Sequence, residues 1–202
     1  MRRTLTVLVV VAVAAGVVTD TVLGAQQQQR RQQSPEGTAS VQVNGRWIDI
    51  VHGKPILRGR TNIFGSGADY GKTLFDGGTV WRAGANVSTR LRNEVPLEVG
   101  GKRIPAGELV MVVELKNPKE WTLILTSQSY ALTFDPQNTK DLYGAYNYRP
   151  DNDVARAPMR VETLPYTVEQ LMWWFTDVTP AGGTMRLAWE RMMASVPFKI
   201  LP

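Results

Sequence analysis

The chain has 202 residues, no cysteine, one histidine and a formal net charge of +5. The lack of cysteine excludes a disulfide-stabilised scaffold and a lipid anchor attached through an N-terminal thiol. The positive charge is spread along the sequence, and no run of Lys and Arg is interleaved with aromatic residues, so the composition does not favour a nucleic-acid partner.

The first 25 residues have the pattern of a secretory signal peptide. Arg2 and Arg3 precede an apolar run from Leu5 to Val18, and small residues follow before a polar tract. The apolar run is shorter than the roughly 20 residues that a membrane-spanning helix needs. An uncleaved anchor would also place Thr19 and Asp20 in the hydrocarbon. We therefore expect cleavage, export to the periplasm or the extracellular space, and no stable membrane span in the mature chain.

Residues 26–38 form a Gln-rich tract that begins the expected mature chain. No apolar residue occurs from Gln26 to Gly37, so this tract has nothing to bury and is expected to be a disordered leader. Residues 39–202 follow without a second break in composition and without an internal repeat. We expect them to form one domain with a single core.

Two pairs of turn residues predict antiparallel hairpins. Asn44-Gly45 lies between apolar segments and is the strongest short hairpin signal, since a type I′ turn requires positive φ at both central positions. Gly100-Gly101 predicts a second hairpin in the same way. Further along, Leu109 to Leu115 and Trp121 to Thr126 are nearly continuous apolar runs, as expected for strands that are buried on both faces.

The last third of the sequence also has the periodicity of strands. Apolar residues in Thr167 to Trp174 fall at helical spacing as well, but the bulky Trp173, Trp174 and Phe175 favour a strand. The sequence therefore predicts an antiparallel β-sandwich with at most one short helix. The four strands expected in this region are Met159 to Leu164, Leu171 to Val178, Thr184 to Trp189 and Val196 to Ile200.

The stretch from Trp81 to Asn86 carries the first candidate binding residues. If it is a strand, Trp81 faces the core, and Arg82 and Asn86 share the opposite face. A guanidinium beside an amide suits a small anionic or hydroxyl-rich ligand. Pairing of Arg82 with a carboxylate and capping of a turn by Asn86 would explain the same residues without a ligand.

Tyr146 belongs to a second candidate, the segment Tyr143 to Tyr148, where tyrosines surround small residues. Their rings could form a stacking platform for a sugar or an aromatic ligand. The alternative is a strand that packs Tyr146 inward.

His52 is the only histidine, so a Ser-His-Asp triad or a histidine-based metal site would have to use it. The sequence contains no G-x-S-x-G motif, and a lone histidine near a strand end is more often structural. The acidic groups in Asp135 to Asp141 and Asp151 to Asp153 lack the calcium-loop pattern. We therefore expect no metal, no cofactor and no catalytic residue, and we keep His52 as a fourth candidate ligand contact.

A succession of short motifs resembles the bacterial family known as domain of unknown function 2911. The resemblance covers residues 39–201 and implies an exported, β-rich domain with no established activity, cofactor or catalytic residue. The motifs that carry it are Gly59-Arg60, Ile63-Phe64-Gly65, Tyr70-Gly71, Trp81-Arg82, Gly84-Ala85-Asn86, Gly100-Gly101-Lys102, Pro105-Ala106-Gly107, Trp121 with Ile124, Gly144-Ala145-Tyr146, Trp189 and Pro197-Phe198.

The chain departs from the family pattern at four places. His52 and Tyr143 stand where the family tends to have Tyr and Trp, and Val87 stands where it tends to have an acidic residue. Lys72 to Val80 replaces a nearly direct link and is expected to form a surface loop.

These observations favour an exported, non-catalytic binding module with Arg82, Asn86, Tyr146 and His52 as its ligand contacts. One alternative is a hydrolase or isomerase that uses His52 as a general base. The other is a structural envelope protein that presents the edges of its sheet to a partner.

Overall fold

The computed structural model describes residues 33–75 and 78–202. The expected signal peptide and residues 26–32 of the expected leader lie outside the described residues. The first strand begins at Glu36. The last three residues of the expected leader, residues 36–38, therefore form part of the first strand.

The described chain folds into nine strands that form one antiparallel sheet in the order β1-β2-β3-β6-β7-β8-β9-β4-β5. The strands are β1 (Glu36–Val43), β2 (Arg46–Gly53), β3 (Thr89–Asn93), β4 (Leu97–Val99), β5 (Lys102–Ile104), β6 (Gly107–Asn117), β7 (Glu120–Thr126), β8 (Asp153–Thr179) and β9 (Gly182–Ile200). Helical structure in the described residues is limited to the 3-10 turns Gly67–Asp69, Lys72–Leu74 and Pro150–Asn152. No helix in residues 33–75 or 78–202 is long and apolar enough to cross a membrane.

The sheet folds around one hydrophobic core, to which every strand from β2 to β9 contributes buried side chains. Its two edge strands, β1 and β5, do not pair with each other. The prediction of a single all-β antiparallel domain is confirmed.

Both predicted hairpins are present with the expected turn geometry. Asn44 and Gly45 have φ of 52° and 78° between β1 and β2. Gly100 and Gly101 have φ of 59° and 75° between β4 and β5. Positive φ at both central positions is the feature for which these residues are favoured in tight turns.

The central strands β6 and β7 are buried on both faces, as their apolar runs predict. Met111 and Val113 of β6 lie in the main core. Val110 and Val112 point the other way and pack with Ile124 in a second apolar cluster. Leu142 and Ala145 also belong to that cluster, so the irregular segment 127–149 covers the outer face of these two strands.

The last third differs from the prediction, because the four expected short strands are joined into two long ones. Strand β8 has 27 residues and β9 has 19. Their pairing shifts register between Thr163 and Val168, a stretch that contains Pro165. Proline cannot donate to the ladder, but a bulge accommodates it without ending the strand. The segment that competed as a helix lies within β8.

Trp81 lies at the centre of an aromatic cluster in the core. Its ring stacks on Trp189 with centroids 6.2 Å apart and contacts Phe64 edge-on at 5.6 Å. Two backbone hydrogen bonds of 2.8 Å join Trp81 to Val113 of β6. The prediction that Trp81 is a core residue is confirmed, since 2% of it is exposed.

Candidate functional site

Residues 82–87 form a loop and not the strand that the sequence suggested. Ala83 and Asn86 have φ of 46° and 62°, so side chains in this loop do not alternate between two faces. The Ala83 carbonyl turns into the core, where it accepts hydrogen bonds from Trp173 Nε1 at 3.0 Å and Thr89 Oγ1 at 3.3 Å. The strand arrangement, in which Arg82 and Asn86 would share the face opposite Trp81, is therefore not present.

The loop is held against the end of β2 by close backbone packing. A Cβ atom on Gly53 would lie 2.1 Å from the carbonyl oxygen of Ala85. A Cβ on Gly84 would lie 2.6 Å from Thr89 Oγ1. Only glycine allows such close approach, and the small residues of this loop are explained by it.

Arg82 and Asn86 line a cavity of about 490 Å³ that we call the arginine cleft. Trp81 and Trp189 belong to its lining, so the stacked indoles of the core also border the cavity. The other lining residues in the described chain are Gln33, Ser34, Pro55, Ile56, Leu57, Arg58, Arg60, Thr73, Leu74, Gly84 and Ala85.

Arg60 is fixed at the cleft by three contacts. Its Nε donates to the Leu57 carbonyl at 3.0 Å and its Nη2 donates to the Ile56 carbonyl at 2.9 Å. Its guanidinium lies over the Trp189 ring, 5.8 Å from the centroid. The backbone around it thus holds a planar cation in one orientation before any ligand arrives.

Arg58 and Arg82 approach the cleft from different segments. Arg58 has φ of 52°, and its backbone N–H donates to Glu169 Oε1 of β8 at 2.8 Å. Arg82 Nη1 donates to the Asn86 carbonyl at 3.0 Å. The Arg82 guanidinium also packs on Gly144, where a Cβ atom would lie 2.5 Å from Nη1.

Asn86 both borders the cleft and supports its wall. Its Nδ2 donates to the Ser34 carbonyl at 3.1 Å, which ties the segment before β1 to the loop. The structure thus brings Arg82 and Asn86 together at one cavity.

The charged side chains among the described lining residues of the arginine cleft are all cationic. Three arginines line the cavity, and none of its described lining residues is Asp or Glu. A concave surface lined by cations raises the local concentration of anions.

His52 lies outside this cleft, in the interior of the protein. Only 3% of it is exposed, and its Nδ1 lies 3.3 Å from the Ile50 carbonyl. Nε2 has no hydrogen-bond partner among the described residues. Burial lowers the pKa of His52 to about 4, so the ring is neutral at pH 7. The expected grouping of His52 with Arg82 and Asn86 is not present.

Tyr146 lines a different cavity, of about 200 Å³, that we call the aromatic depression. Its ring lies 5.8 Å from that of Phe134, and the ring of Tyr143 lies 5.6 Å from that of Phe134. Tyr146 is 39% exposed, so the alternative of an inward-packed tyrosine is wrong. The other lining residues are Ala131, Thr133, Asp135, Pro136, Asn138, Asp141 and Asn147.

A third cavity, of about 650 Å³, lies between the other two, and we call it the central depression. It shares Ser34 and Asn86 with the arginine cleft and Tyr143 with the aromatic depression. Glu36 also lines it and pairs with the buried Arg90 at 3.2 Å. The three cavities are therefore neighbours along one surface.

The acidic segments make turns. Asp141 accepts hydrogen bonds from Ser129 Oγ and from Asn138 Nδ2, which lower the pKa of its carboxyl. Within residues 33–75 and 78–202, no group of three or more His, Asp or Glu side chains is placed to hold a metal ion.

Arg58, Arg60 and Trp189 are cleft residues that the candidate contacts did not include. The only local signal is the pair of arginines that flanks Gly59. Trp189 lies more than a hundred residues after Arg82 in the sequence. It reaches the cleft because it belongs to β9 and stacks on Trp81 in the core.

We found no match to the chain among curated proteins or among solved structures. One family model matches, over residues 34–198, and its description is protein of unknown function (DUF2911). This match covers most of the chain and agrees with the motif resemblance described above. The chain therefore belongs to the DUF2911 family of proteins of unknown function.

Proposed function

We propose that the protein is an exported, non-catalytic module that binds a small anionic ligand in the arginine cleft. The observation that carries this proposal is the meeting of Arg58, Arg60 and Arg82 in one cavity. A guanidinium presents a planar fork of donors that matches carboxylate or phosphate oxygens.

The shape of the cleft supports a compact ligand. Its volume of about 490 Å³ falls within the range of small-molecule sites. Arg60 is already held by two backbone carbonyls and by Trp189, so little side-chain freedom is lost on binding.

The alternative of a hydrolase or isomerase with His52 as base has no support from the geometry. A general base must be within hydrogen-bond reach of the proton that it removes, and His52 is buried and lines none of the three cavities. The alternative of a structural envelope protein is supported by the two edge strands of the open sheet, β1 and β5, which could pair with a partner strand.

The anion proposal is tested by titrating the protein with inorganic phosphate and with glucuronate at low ionic strength, followed by NMR or calorimetry. We expect saturable binding to the wild type. Arg58→Gln and Arg60→Gln should each weaken binding roughly 10-fold or more, since a hydrogen bond to a charged group contributes about 1.5–3 kcal/mol.

Arg103→Gln is the matched control, because it removes the same charge from strand β5, away from the cleft. It should leave the affinity unchanged. Equal losses in all three variants would show that only net charge matters, and an absence of saturable binding would overturn the proposal.

A further inference from the structure

The aromatic depression has features of a ligand site that the arginine cleft does not account for. Phe134, which lines the depression, is 57% exposed, and the neighbouring Leu132, which lines the adjoining central depression, is 69% exposed. Large apolar side chains that remain in water and are grouped together usually mark a binding surface. Here they lie within one short segment, beside Tyr143 and Tyr146.

The rings are arranged around a concave space. The planes of Tyr143 and Tyr146 are each tilted by 55° from that of Phe134. Rings at such angles expose π faces, which suit the C–H face of a pyranose ring while their hydroxyl groups stay near water.

Polar groups border these rings. Asp135 uses Oδ1 to accept the Gln137 N–H at 2.8 Å, and its Oδ2 has no hydrogen-bond partner among the described residues. Asn147 uses Nδ2 to donate to the Asn138 carbonyl at 2.7 Å, and its Oδ1 likewise has no described partner. A free carboxylate oxygen and a free amide oxygen are acceptors for sugar hydroxyls.

The segment that carries the depression is held in place from within. Gln128 is 5% exposed, and its Nε2 donates to the carbonyls of Lys140 at 2.9 Å and Asn147 at 2.8 Å. Its Oε1 accepts the Arg149 N–H at 3.0 Å. These bonds fix irregular backbone that would otherwise have to be ordered by the ligand.

The charge around the aromatic depression is opposite to that of the arginine cleft. Asp135 and Asp141 line the depression, and no Lys or Arg is among its described lining residues. An uncharged sugar fits here, and an acidic sugar would be repelled. Since the central depression joins the two cavities through Tyr143 and Asn86, one elongated ligand could contact both.

We infer that the aromatic depression binds an uncharged pyranose ring of an oligosaccharide whose anionic sugar occupies the arginine cleft. This inference rests on the proposed function and names the class of its ligand as an acidic oligosaccharide. Because one end of the oligosaccharide is anionic and the other is uncharged, the oligosaccharide binds across the two cavities in one direction.

Three probes test the inference by calorimetry: glucuronate, the neutral xylotriose, and an aldotetraouronic acid, which is a xylotriose that carries one glucuronate. We expect the aldotetraouronic acid to bind at least 10-fold more tightly than glucuronate. Phe134→Ala and Tyr146→Ala should each remove most of that gain and leave the affinity for glucuronate unchanged, because stacking of one ring contributes roughly a factor of 10.

Tyr166→Ala is the control, since Tyr166 is 62% exposed on β8 and lines none of the three cavities. It should leave all affinities unchanged. An aldotetraouronic acid that binds no more tightly than glucuronate would overturn the inference and leave anion binding intact. The inference would also be overturned if Phe134→Ala, like Tyr166→Ala, left the affinity for the aldotetraouronic acid unchanged. If xylotriose bound and glucuronate did not, the anion proposal would be overturned, and with it the acidic ligand class.

Discussion

At the scale of single residues, His52 has the most altered chemistry. Its ring is buried, its Nδ1 faces one backbone carbonyl, and its Nε2 has no described partner. Burial is the main cause of the fall in its pKa from 6.5 to about 4. The folded state excludes the charged ring. At a pH between these two pKa values, His52 therefore binds a proton in the unfolded state and not in the folded state.

We predict that the protein loses stability as the pH falls from 7 to 5. At pH 5 the pKa shift of His52 corresponds to about 2 kcal/mol lost from the free energy of unfolding. Urea denaturation at the two pH values measures this loss. The His52→Leu variant has no titrating group at this position, so it should lose less stability between pH 7 and pH 5. Equal losses in the variant and the wild type would show that His52 is not the cause.

Residue chemistry predicted part of the site and missed the rest. Arg82 and Asn86 were identified because they lie four positions apart beside a core tryptophan, so local sequence was enough. Arg58 and Trp189 join them only through the folding of β8 and β9 across the core. The sequence treated His52 as more often structural and kept it as a fourth candidate contact; the structure buries it at the end of β2, and burial of a strand end depends on what packs over it, which local sequence does not give.

At the scale of elements, the loop at residues 82–87 depends on its contact with β2. Gly53 leaves room for the Ala85 carbonyl, and the loop in turn positions Arg82 and Asn86 at the cleft. A substitution at Gly53, which does not itself line the arginine cleft, should therefore change the cleft by displacing Ala85, which does line it.

We predict that Gly53→Ala destabilises the protein by about 2–3 kcal/mol and weakens phosphate binding, because the added Cβ meets backbone that must move. Urea denaturation and phosphate titration measure the two effects. Gly45→Ala is the comparison: a Cβ there meets nothing within 4 Å, but φ is 78°. It should cost about 1 kcal/mol and leave binding unchanged. If both variants bind phosphate as the wild type does, β2 does not position the loop.

Elements with local causes were predictable from sequence. The hairpins at Asn44-Gly45 and Gly100-Gly101 follow from turn residues, and the double burial of β6 and β7 follows from their apolar runs. The union of four predicted strands into β8 and β9 was not predictable in this way. Bulges keep the chain extended through Pro165, and their position is set by the partner strand.

At the scale of the whole molecule, the expected N-terminal signal and the cysteine-free core lead to one prediction. Expression of the full chain in a Gram-negative bacterium should give a periplasmic protein whose intact mass corresponds to a start near residue 26. A chain that lacks residues 2–25 should fold and remain in the cytoplasm, since its core needs no disulfide. Uncleaved protein in the membrane fraction would contradict export by a cleaved signal.

The position of β9 in the sheet also sets the time at which the fold can be completed. Strand β9 pairs with both β8 and β4, and Ile200 lies opposite Leu97. The attachment of three of the nine strands, β9, β4 and β5, to the other six is therefore completed only after Ile200 has left the ribosome, and pairing over such a long separation is slow. If the chain is exported as we propose, this delay leaves part of the sheet unformed while the chain is threaded through a translocation channel.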